Sequence, residues 1–483
     1  MIMNFDQLIK FVRSSDFAGK VCADSRKVAP GDIFVAVVGT HVDGHAYIPQ
    51  VIEKGAGWVV SQRNFDEHSD KLIIVDDTSL ALGLLAQAAA GNPAQNLTNL
   101  AVTGTNGKTT VTFITRSIIE AASHKCGLIG TIIYDSASTD TAIAAPLTTP
   151  DAITIANLMS SMLAAAATHM VTEASSHALS QNRLAGINFA AAAFTNLTGD
   201  HLDYHKTTEQ YLAEKTKLFT GLSPDAFAIL NKQSPQAHTI ADKTNANVLW
   251  YAVNESADIS AKVISMNASQ TCYQLTYNDI TRIVTTPMIG THNISNQLAA
   301  AGLCLAVGID LDTVANGIEN IPSVPGRLDP VTAGQNYAVL VDYAHTDDAL
   351  KNVLTTLRPL CQNRLIVLFG CGGDRDKTKR PRMASIAEEY ADIIIVTSDN
   401  PRTENPAAII DDILQGFTDP NRDTIVVAPD RKKAIEHALT LAQKDDIILL
   451  AGKGHETYQI IGTERFDFND KQIAIDIITA KYD

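Results

Sequence analysis

Residues 100–110, LAVTGTNGKTT, constrain this chain more than any other stretch. An apolar run ends in a glycine-rich turn, Lys-Thr follows, and residues 111–122 carry apolar side chains at helical spacing (Val111, Ile114, Ile118, Ala122). Strand, turn and helix in that order present backbone N–H groups at the positive end of a helix dipole, an arrangement that grips phosphate. Gly104 and Gly107 let the backbone approach the anion. Lys108 brings a point charge to the terminal phosphates, and the Thr109 hydroxyl can ligate Mg²⁺. The whole segment Gly104, Thr105, Asn106, Gly107, Lys108, Thr109 and Thr110 is therefore expected to bind a nucleotide. The strict G-x-x-x-x-G-K-[ST] spacing is not met, because Val102 stands in the first glycine's place. A glycine turn with an incidental lysine is the alternative, and the strand before it and helix after it weigh against that.

Around this loop the chain divides. Residues 1–97 hold short apolar runs (33–38, 58–60, 72–75) and close on the polar stretch 91–99, GNPAQNLTN, which reads as a linker. From 98 to 325, apolar strands alternate with helix-length segments, the pattern of a parallel α/β sheet. The break 321–327, IPSVPGR, leads into a third unit, 326–483, with apolar runs at 338–341, 365–369, 393–396, 424–427 and 447–450. Helix-length segments such as 381–390 and 432–442 separate them. Three domains suit 483 residues at about 150 residues each. The alanine-rich pieces 163–167 and 190–193 are short and read as core.

Polar clusters follow the strands. MVTEASSHAL (170–179) delivers Glu173 at the end of an apolar run, and FTNLTGDHLDYH (194–205) delivers His201. In a parallel sheet such ends share one edge with the phosphate loop, so both side chains are placed to complete Mg²⁺ coordination. Each C-terminal run likewise leads into polar residues: DYAH (342–345), GCGGDRDK (370–377), DNPR (399–402), DR (430–431) and GKGHE (452–456). A helix cap explains any single Asp or Asn cheaply. Five clusters in succession, with both charge signs, look built to grip a small zwitterion. Arg375 and Arg402 suit carboxylates in bidentate fashion, and Glu456 suits an ammonium. The basic run 375–382, RDKTKRPR, has the competing reading of a solvated surface loop.

Charge narrows the partners. Lys and Arg number 38 against 53 Asp and Glu, a formal net charge of −15, which argues against nucleic acid and anionic membranes and leaves small-molecule substrates. No stretch of about 18 apolar residues runs unbroken, so no membrane insertion is expected. The first residues, MIMNFDQLIKFVRSSDF, lack the apolar stretch of a signal peptide. Six scattered cysteines without a C-x-x-C read as reduced thiols. A cytoplasmic monomer is expected.

Taken jointly, TGTNGKTT, EASSHAL, FTNLTGDHLDYH, GTHNISN (290–296), PGRLD (325–329) and VDYAHTDDAL (341–350) resemble the Mur ligase family over nearly the whole chain. These are the ATP-dependent amide-forming enzymes of peptidoglycan synthesis. The resemblance implies an α/β protein with an N-terminal UDP-binding domain (1–97), a central P-loop-type ATPase domain (98–325) and a C-terminal Rossmann-like α/β domain for the incoming amino acid (326–483). FGCGGDRDKTKRP, SDNPR and AGKGHETYQ resemble the members that add a diamino acid to UDP-N-acetylmuramoyl-L-alanyl-D-glutamate. DNPR implies meso-diaminopimelate, because lysine-adding relatives generally lack that arginine. The same reaction with L-lysine, a folylpolyglutamate-type ligase and a nucleotide-dependent regulatory ATPase remain the alternatives. The implied chemistry passes through an acyl phosphate, with domain closure to exclude water.

By the same resemblance, Lys108 and Thr109 match phosphate-loop residues, and Glu173 and His201 match Mg²⁺ ligands. Asn293 and Asn296 match the adenine side, Arg327 an arginine at the ATP phosphates, and Asp342 the ribose side. Ser25 and Arg26 match the uridine-nucleotide site; Thr148, Thr149, Ser175, Gln181 and Arg183 match the muramoyl-dipeptide site. Arg375, Asp399, Asn400, Pro401, Arg402, Gly452 and Glu456 match the diaminopimelate site, and His345 is a candidate helper in deprotonating the amine. Lys215, fifteen residues after Asp200, matches the lysine carbamylated in this family, which as a carbamate would support a metal. Its plain reading is an exposed helix lysine. Gly199, Asp347 and Leu328-Asp329 depart from the family's usual residues without removing a catalytic group.

Overall fold

Parallel strands covered on both faces need near-continuous aliphatic runs, and this chain supplies them. The computed structural model describes residues 3–40, 42–65, 70–138, 142–198, 202–205 and 207–482, without the side chains of 202, 203 and 482. His201, Asp200 and Gly199 lie outside the described residues. The chain forms two compact units, one of residues 1–261, 275–282 and 295–318, the other of 262–274, 283–294 and 319–483.

The first unit opens with a small parallel sheet, Val21–Cys22, Ile33–Val35, Trp58–Ser61 and Leu72–Ile74, in sequence order. Helices Phe5–Val12 and Thr78–Ala89, capped by Asn4 and Asp77, bury their apolar faces with it. The stretch 91–99 is not the solvated tether its polarity suggests. Ala94 and Leu97 are buried in the next core, and strand Thr98–Thr103 already begins within it, pairing Thr98 with His169. The two sheets of this unit are locked together: Asn182 Nδ2 donates to Asp77 Oδ2 at 2.9 Å, and a Cβ on Gly83 would press into the Ala185 carbonyl oxygen at 2.8 Å.

The larger sheet orders its parallel strands as Asn247–Val253, Phe227–Asn231, Ala191–Phe194, Thr98–Thr103, His169–Glu173 and Cys126–Ile129. Antiparallel Ile133–Asp135 and Ile143–Ala144 extend one edge. Thr98–Thr103 lies in the middle, with later strands added on both sides, so its end is a topological switch point where ligands bind. Ala191–Phe194 is wholly buried, as an alanine-rich core strand should be. Residues 163–167 differ: they cover the last two residues of helix Ala152–Ala164 and the turn after it, and of the five only Ala167 is buried.

The second unit carries a sheet ordered Asp329–Pro330, Ala338–Asp342, Ile447–Ala451, Leu365–Phe369, Ile393–Val396 and Ile425–Val427, parallel except for its first strand. Every residue of Ile447–Ala451 and Leu365–Phe369 is buried, each large aliphatic contributing about 1.5–3 kcal/mol. Helices Asp347–Leu357, Lys379–Tyr390 and Pro406–Leu414 cover one face; Arg431–Leu441 and Asp470–Tyr482 cover the other. The parallel strands therefore deliver the segments after 342, 369, 396, 427 and 451 to one edge.

Candidate active site

At the switch point, Gly104 (φ +149°) and Gly107 (φ +89°) hold conformations that side chains rarely adopt. A Cβ on Gly104 would overlap Thr195 Oγ1, and one on Gly107 would overlap Asn296 Oδ1. The loop is braced from the neighbouring strand end: Thr105 N donates to the Asn196 carbonyl and Asn106 N to Asn196 Oδ1, both at 2.9 Å. Lys108 opens helix Lys108–Ala121, behind Gly107 as an N-cap without a side-chain cap bond. Its Nζ curls back to the carbonyls of Gly104 and Thr105 at 3.0 and 2.8 Å. Thr109 and Thr110 are buried in the first turn.

Glu173 ends the adjacent strand, in register with Val102, and is fully buried. It accepts from Thr131 N at 2.7 Å and Thr131 Oγ1 at 2.9 Å. A buried carboxylate and a first-turn threonine beside a phosphate loop fit Mg²⁺, which takes few protein ligands and keeps water and phosphate oxygens. Among the described residues, no three His, Cys, Asp or Glu side chains gather as a closed metal cage. Lys215 is not the exposed lysine of the plain reading. It is 1% exposed, its Nζ donates to the Gly104 carbonyl at 2.8 Å, and it lies 4.4 Å from the Tyr211 ring centroid. Helix Thr208–Thr220 thus turns Lys215 onto the same carbonyl that Lys108 contacts. Asn293 lies one turn before Asn296 on helix Thr291–Ala306, with Nδ2 donating to the Ile289 carbonyl at 2.8 Å.

The residues matched to the muramoyl dipeptide form one network with Glu173. Thr149 Oγ1 donates to the Glu173 carbonyl at 2.6 Å and lies 3.1 Å from Ser175 Oγ. Arg183 donates to the Thr149 carbonyl at 2.7 Å and, through Nε and Nη2, to Gln181 Oε1 at 3.1 and 2.8 Å. Thr131 Oγ1 reaches Thr148 Oγ1 at 3.1 Å. Sequence reasoning did not single out Thr131; its signal was the Gly-Thr directly after strand Cys126–Ile129. In the N-terminal sheet, Ser25 and Arg26 line a pocket of about 550 Å³ with Asp24, Phe34, Val37 and Tyr47. Arg26 forks onto both Asp24 oxygens at 2.9 Å, which holds that carboxyl down at about 2.

In the second unit, the turn 399–402 packs on the glycines after strand Leu365–Phe369. Arg402 takes φ +50°, its Nη1 donates to the Gly373 carbonyl at 2.8 Å, and its N donates to the Ile460 carbonyl at 3.1 Å. A Cβ on Gly373 would overlap the Pro401 carbonyl. Asn400 Nδ2 donates to Glu456 Oε2 at 2.8 Å, and Gly452 (φ +112°) passes close to Asp399 Oδ2. Asp399, Asn400, Arg402, Gly452 and Glu456 are therefore brought together; Arg375 is exposed beside them, donating to the Asp374 carbonyl. Lys453, inside the GKGHE cluster but given no role there, lies fully buried among them.

Other expectations change. In the basic run, Arg380 is fully buried between Glu404 (3.0 Å) and Asp412 (2.8 Å), so that run is not simply a solvated loop. At 430–431 the cap reading wins: Asp430 Oδ1 accepts from Lys432 N and Lys433 N, and Arg431 is buried against Asp470 at 2.6 Å. Asp342 accepts from Leu328 N at 2.7 Å and Ala344 N at 2.8 Å, while burial pushes its carboxyl above the ordinary range. Tyr343 stands between three cationic or titratable groups: the Arg327 guanidinium 5.0 Å from its ring centroid, and the rings of His345 and His455 at 4.5 and 5.0 Å. Burial lowers the pKa of both imidazoles, His455 to about 4, so both are neutral at pH 7. His345 Nδ1 lies 2.8 Å from the Tyr343 carbonyl.

Comparison with known proteins identifies the family. "Mur ligase family, catalytic domain" matches residues 20–90, "Mur ligase middle domain" 102–304 and "Mur ligase, glutamate ligase domain" 326–454. The chain is 43% identical to the UDP-N-acetylmuramoyl-L-alanyl-D-glutamate–2,6-diaminopimelate ligase of Bacillus cereus, over 95% of this chain and 94% of that one. It is 41% identical to the protein of that name from Geobacillus thermodenitrificans, over 93% of each. A solved structure of a UDP-N-acetylmuramoyl-L-alanyl-D-glutamate–2,6-diaminopimelate ligase, 31% identical, superposes with a TM-score of 0.71 over 96% of this chain and 95% of that one. No described helix is long and apolar enough to cross a membrane. With three family domains in order along a mixed α/β fold, the chain belongs to the Mur ligase family.

Proposed function

We propose that this chain is an ATP-dependent, ADP-forming ligase of peptidoglycan synthesis. It adds meso-2,6-diaminopimelate to the D-glutamyl γ-carboxylate of UDP-N-acetylmuramoyl-L-alanyl-D-glutamate. The observation that carries this reading is the gathering of Asp399, Asn400, Arg402 and Glu456 at adjoining strand ends, in a chain 43% identical to a relative bearing that enzyme's name.

The γ-carboxylate attacks the γ-phosphorus of ATP, the bond to ADP breaks, and an acyl phosphate forms. The amine of diaminopimelate then attacks the acyl carbon, the tetrahedral intermediate expels phosphate, and the nitrogen gives up its proton. Phosphoryl transfer needs placed positive charge more than covalent assistance. Lys108 and Arg327 supply that charge, and the loop from Gly104 to Thr110 cradles the phosphates with backbone amides. Thr109, Glu173, His201 and, as a carbamate, Lys215 would hold Mg²⁺, which supplies charge neutralisation at the phosphates. Asn293 and Asn296 serve the adenine and Asp342 the ribose. Ser25 and Arg26 take the uridine nucleotide, and Thr148, Thr149, Ser175, Gln181 and Arg183 orient the dipeptide. His345, neutral and half-buried, is suited to accept the amine's proton.

In the C-terminal domain, Arg402 with Arg375 takes the distal carboxylate of diaminopimelate; Asp399, Asn400 and Glu456 take its ammonium, and Pro401 and Gly452 shape the wall. Lysine has no distal carboxylate and leaves Arg402 without its partner, at a cost of about 1–3 kcal/mol, or roughly ten- to hundredfold discrimination. The tasks divide near 97/98 and 325/326, and the protein works as a cytoplasmic monomer. Its six free cysteines suit that compartment.

The test is phosphate release with ATP, Mg²⁺ and the muramoyl-dipeptide nucleotide, comparing meso-diaminopimelate, L-lysine and no amino acid. Release confined to diaminopimelate, and relaxed toward lysine in Arg402→Ala, supports the assignment. Equal turnover with lysine overturns the choice of amino acid, and release indifferent to both substrates overturns the ligase.

A further inference from the structure

Three side chains assigned above to the distal ammonium converge on one buried cation. Lys453 Nζ lies 3.2 Å from Asn400 Oδ1, 3.3 Å from Glu456 Oε2 and 3.5 Å from Asp399 Oδ1. Its side chain is fully buried, with the ring centroids of Tyr458 and Phe468 at 5.8 and 5.9 Å. Ile460 N donates to the same Asn400 Oδ1 at 2.9 Å, and Asn400 Nδ2 donates to the same Glu456 oxygen at 2.8 Å. Burying an ammonium is costly unless carboxylates answer it, and two lie within 3.5 Å here.

The charges of this set balance. Asp399 and Glu456 bring two negative charges; Lys453 and Arg402 bring two positive ones. Arg402 is tied to the same strand edge, through the Ile460 carbonyl at 3.1 Å. At the rim, exposed Arg375 and Asp374 cancel. A substrate end with one ammonium and one carboxylate is also neutral overall, so it enters without leaving an excess of either sign. A bare ammonium brings an unanswered positive charge. Without Lys453 the same set is one negative charge in excess, which suits the bare ammonium instead.

We propose that Lys453 sets the charge preference of this site, making it favour a diamino acid whose distal end is a zwitterion over one whose distal end is an ammonium alone. The proposal rests on the ligase reading above and concerns that same site. Lys453 acts through Asp399, Asn400 and Glu456 and not on the substrate, so it is a positioning residue.

The experiment compares kcat/KM for meso-diaminopimelate and L-lysine, with ATP and the dipeptide nucleotide saturating, in the wild type, Lys453→Met, Lys453→Arg and Lys453→Met/Glu456→Gln. Lys453→Met is expected to lower the diaminopimelate-to-lysine ratio by about tenfold or more through KM for the amino acid, with KM for ATP unchanged. Lys453→Arg keeps the cation and is expected to hold the ratio within about threefold of wild type. The double variant removes the cation together with one carboxylate, which spares the fold the cost of a lone buried charge and restores neutrality. It is expected to keep the preference at reduced absolute rate, and it carries the test even if the single variant does not fold. Equal loss with both amino acids in Lys453→Met overturns the proposal, as does a collapsed ratio in Lys453→Arg or the double variant. A wild type that turns over neither amino acid overturns the ligase reading itself, a result separate from these.

Discussion

On the reading proposed above, the groups that would meet the ligand at the phosphate loop are mostly backbone, drawn from seven consecutive residues and shaped by two glycines at positive φ. In the C-terminal unit the proposed ligand groups are side chains, drawn from segments more than fifty residues apart, with buried cations packed among them. The first kind of site is written as a contiguous string and tolerates change around it. The second exists only once the sheet has brought its strand ends together, and its geometry depends on charges that no ligand touches.

The largest effect should come from the loop. Lys108→Ala is expected to lower the rate of acceptor-dependent phosphate release by about 10²–10³-fold, with folding retained; a loss below tenfold would mean that backbone alone carries the phosphate site. Next is Arg431→Met, which leaves Asp470 charged and fully buried opposite an apolar chain. Urea unfolding should show a loss of about 3–5 kcal/mol, much of it recovered in Arg431→Met/Asp470→Leu. No loss would erase the contrast, since the C-terminal site would then not depend on its hidden cations.

Acid offers a smaller effect that probes both units. Burial holds His169 in the first unit and His455 in the second down at about 4. Between the ordinary value near 6.5 and about 4, only the unfolded chain takes up these protons, so stability is full above 6.5 and falls as pH drops through that window. His169→Gln should flatten part of that fall in denaturant midpoints measured at pH 7 and pH 4.5, and an unchanged slope would remove His169 from the account. Smallest is Asp430→Ala, expected to cost about 1 kcal/mol as a lost helix cap while leaving KM for the amino acid unchanged. A raised KM would return the 430–431 cluster to the binding site.

These contrasts explain what the sequence made legible. The placement of TGTNGKTT, Glu173 and DNPR at strand ends could be read because each follows an apolar run whose parallel pairing is nearly forced. Lys453, Arg380 and Arg431 could not, because a basic residue beside a glycine or at a helix start looks the same whether it meets water or a carboxylate dozens of residues away. Lys215 shows the same limit: the spacing of YLAEKTKLF does not say which way its helix is rolled. The linker at 91–99 misled for a related reason, since Asn and Gln conceal how firmly Ala94 and Leu97 are packed.

The φ of +50° at Arg402 bears on how such a protein could change its diet over generations. A left-handed residue with a long side chain costs roughly 1–2 kcal/mol of backbone free energy, which glycine would not incur and asparagine would incur less. Replacing Arg402 by either would therefore relax the turn while removing the group that rewards a second carboxylate. If Arg402 has the role proposed above, amino-acid selectivity sits at a position where its loss is structurally cheap. A lineage supplied with a different diamino acid could give up the old preference there in one codon change or a few, without first refolding the domain that holds it.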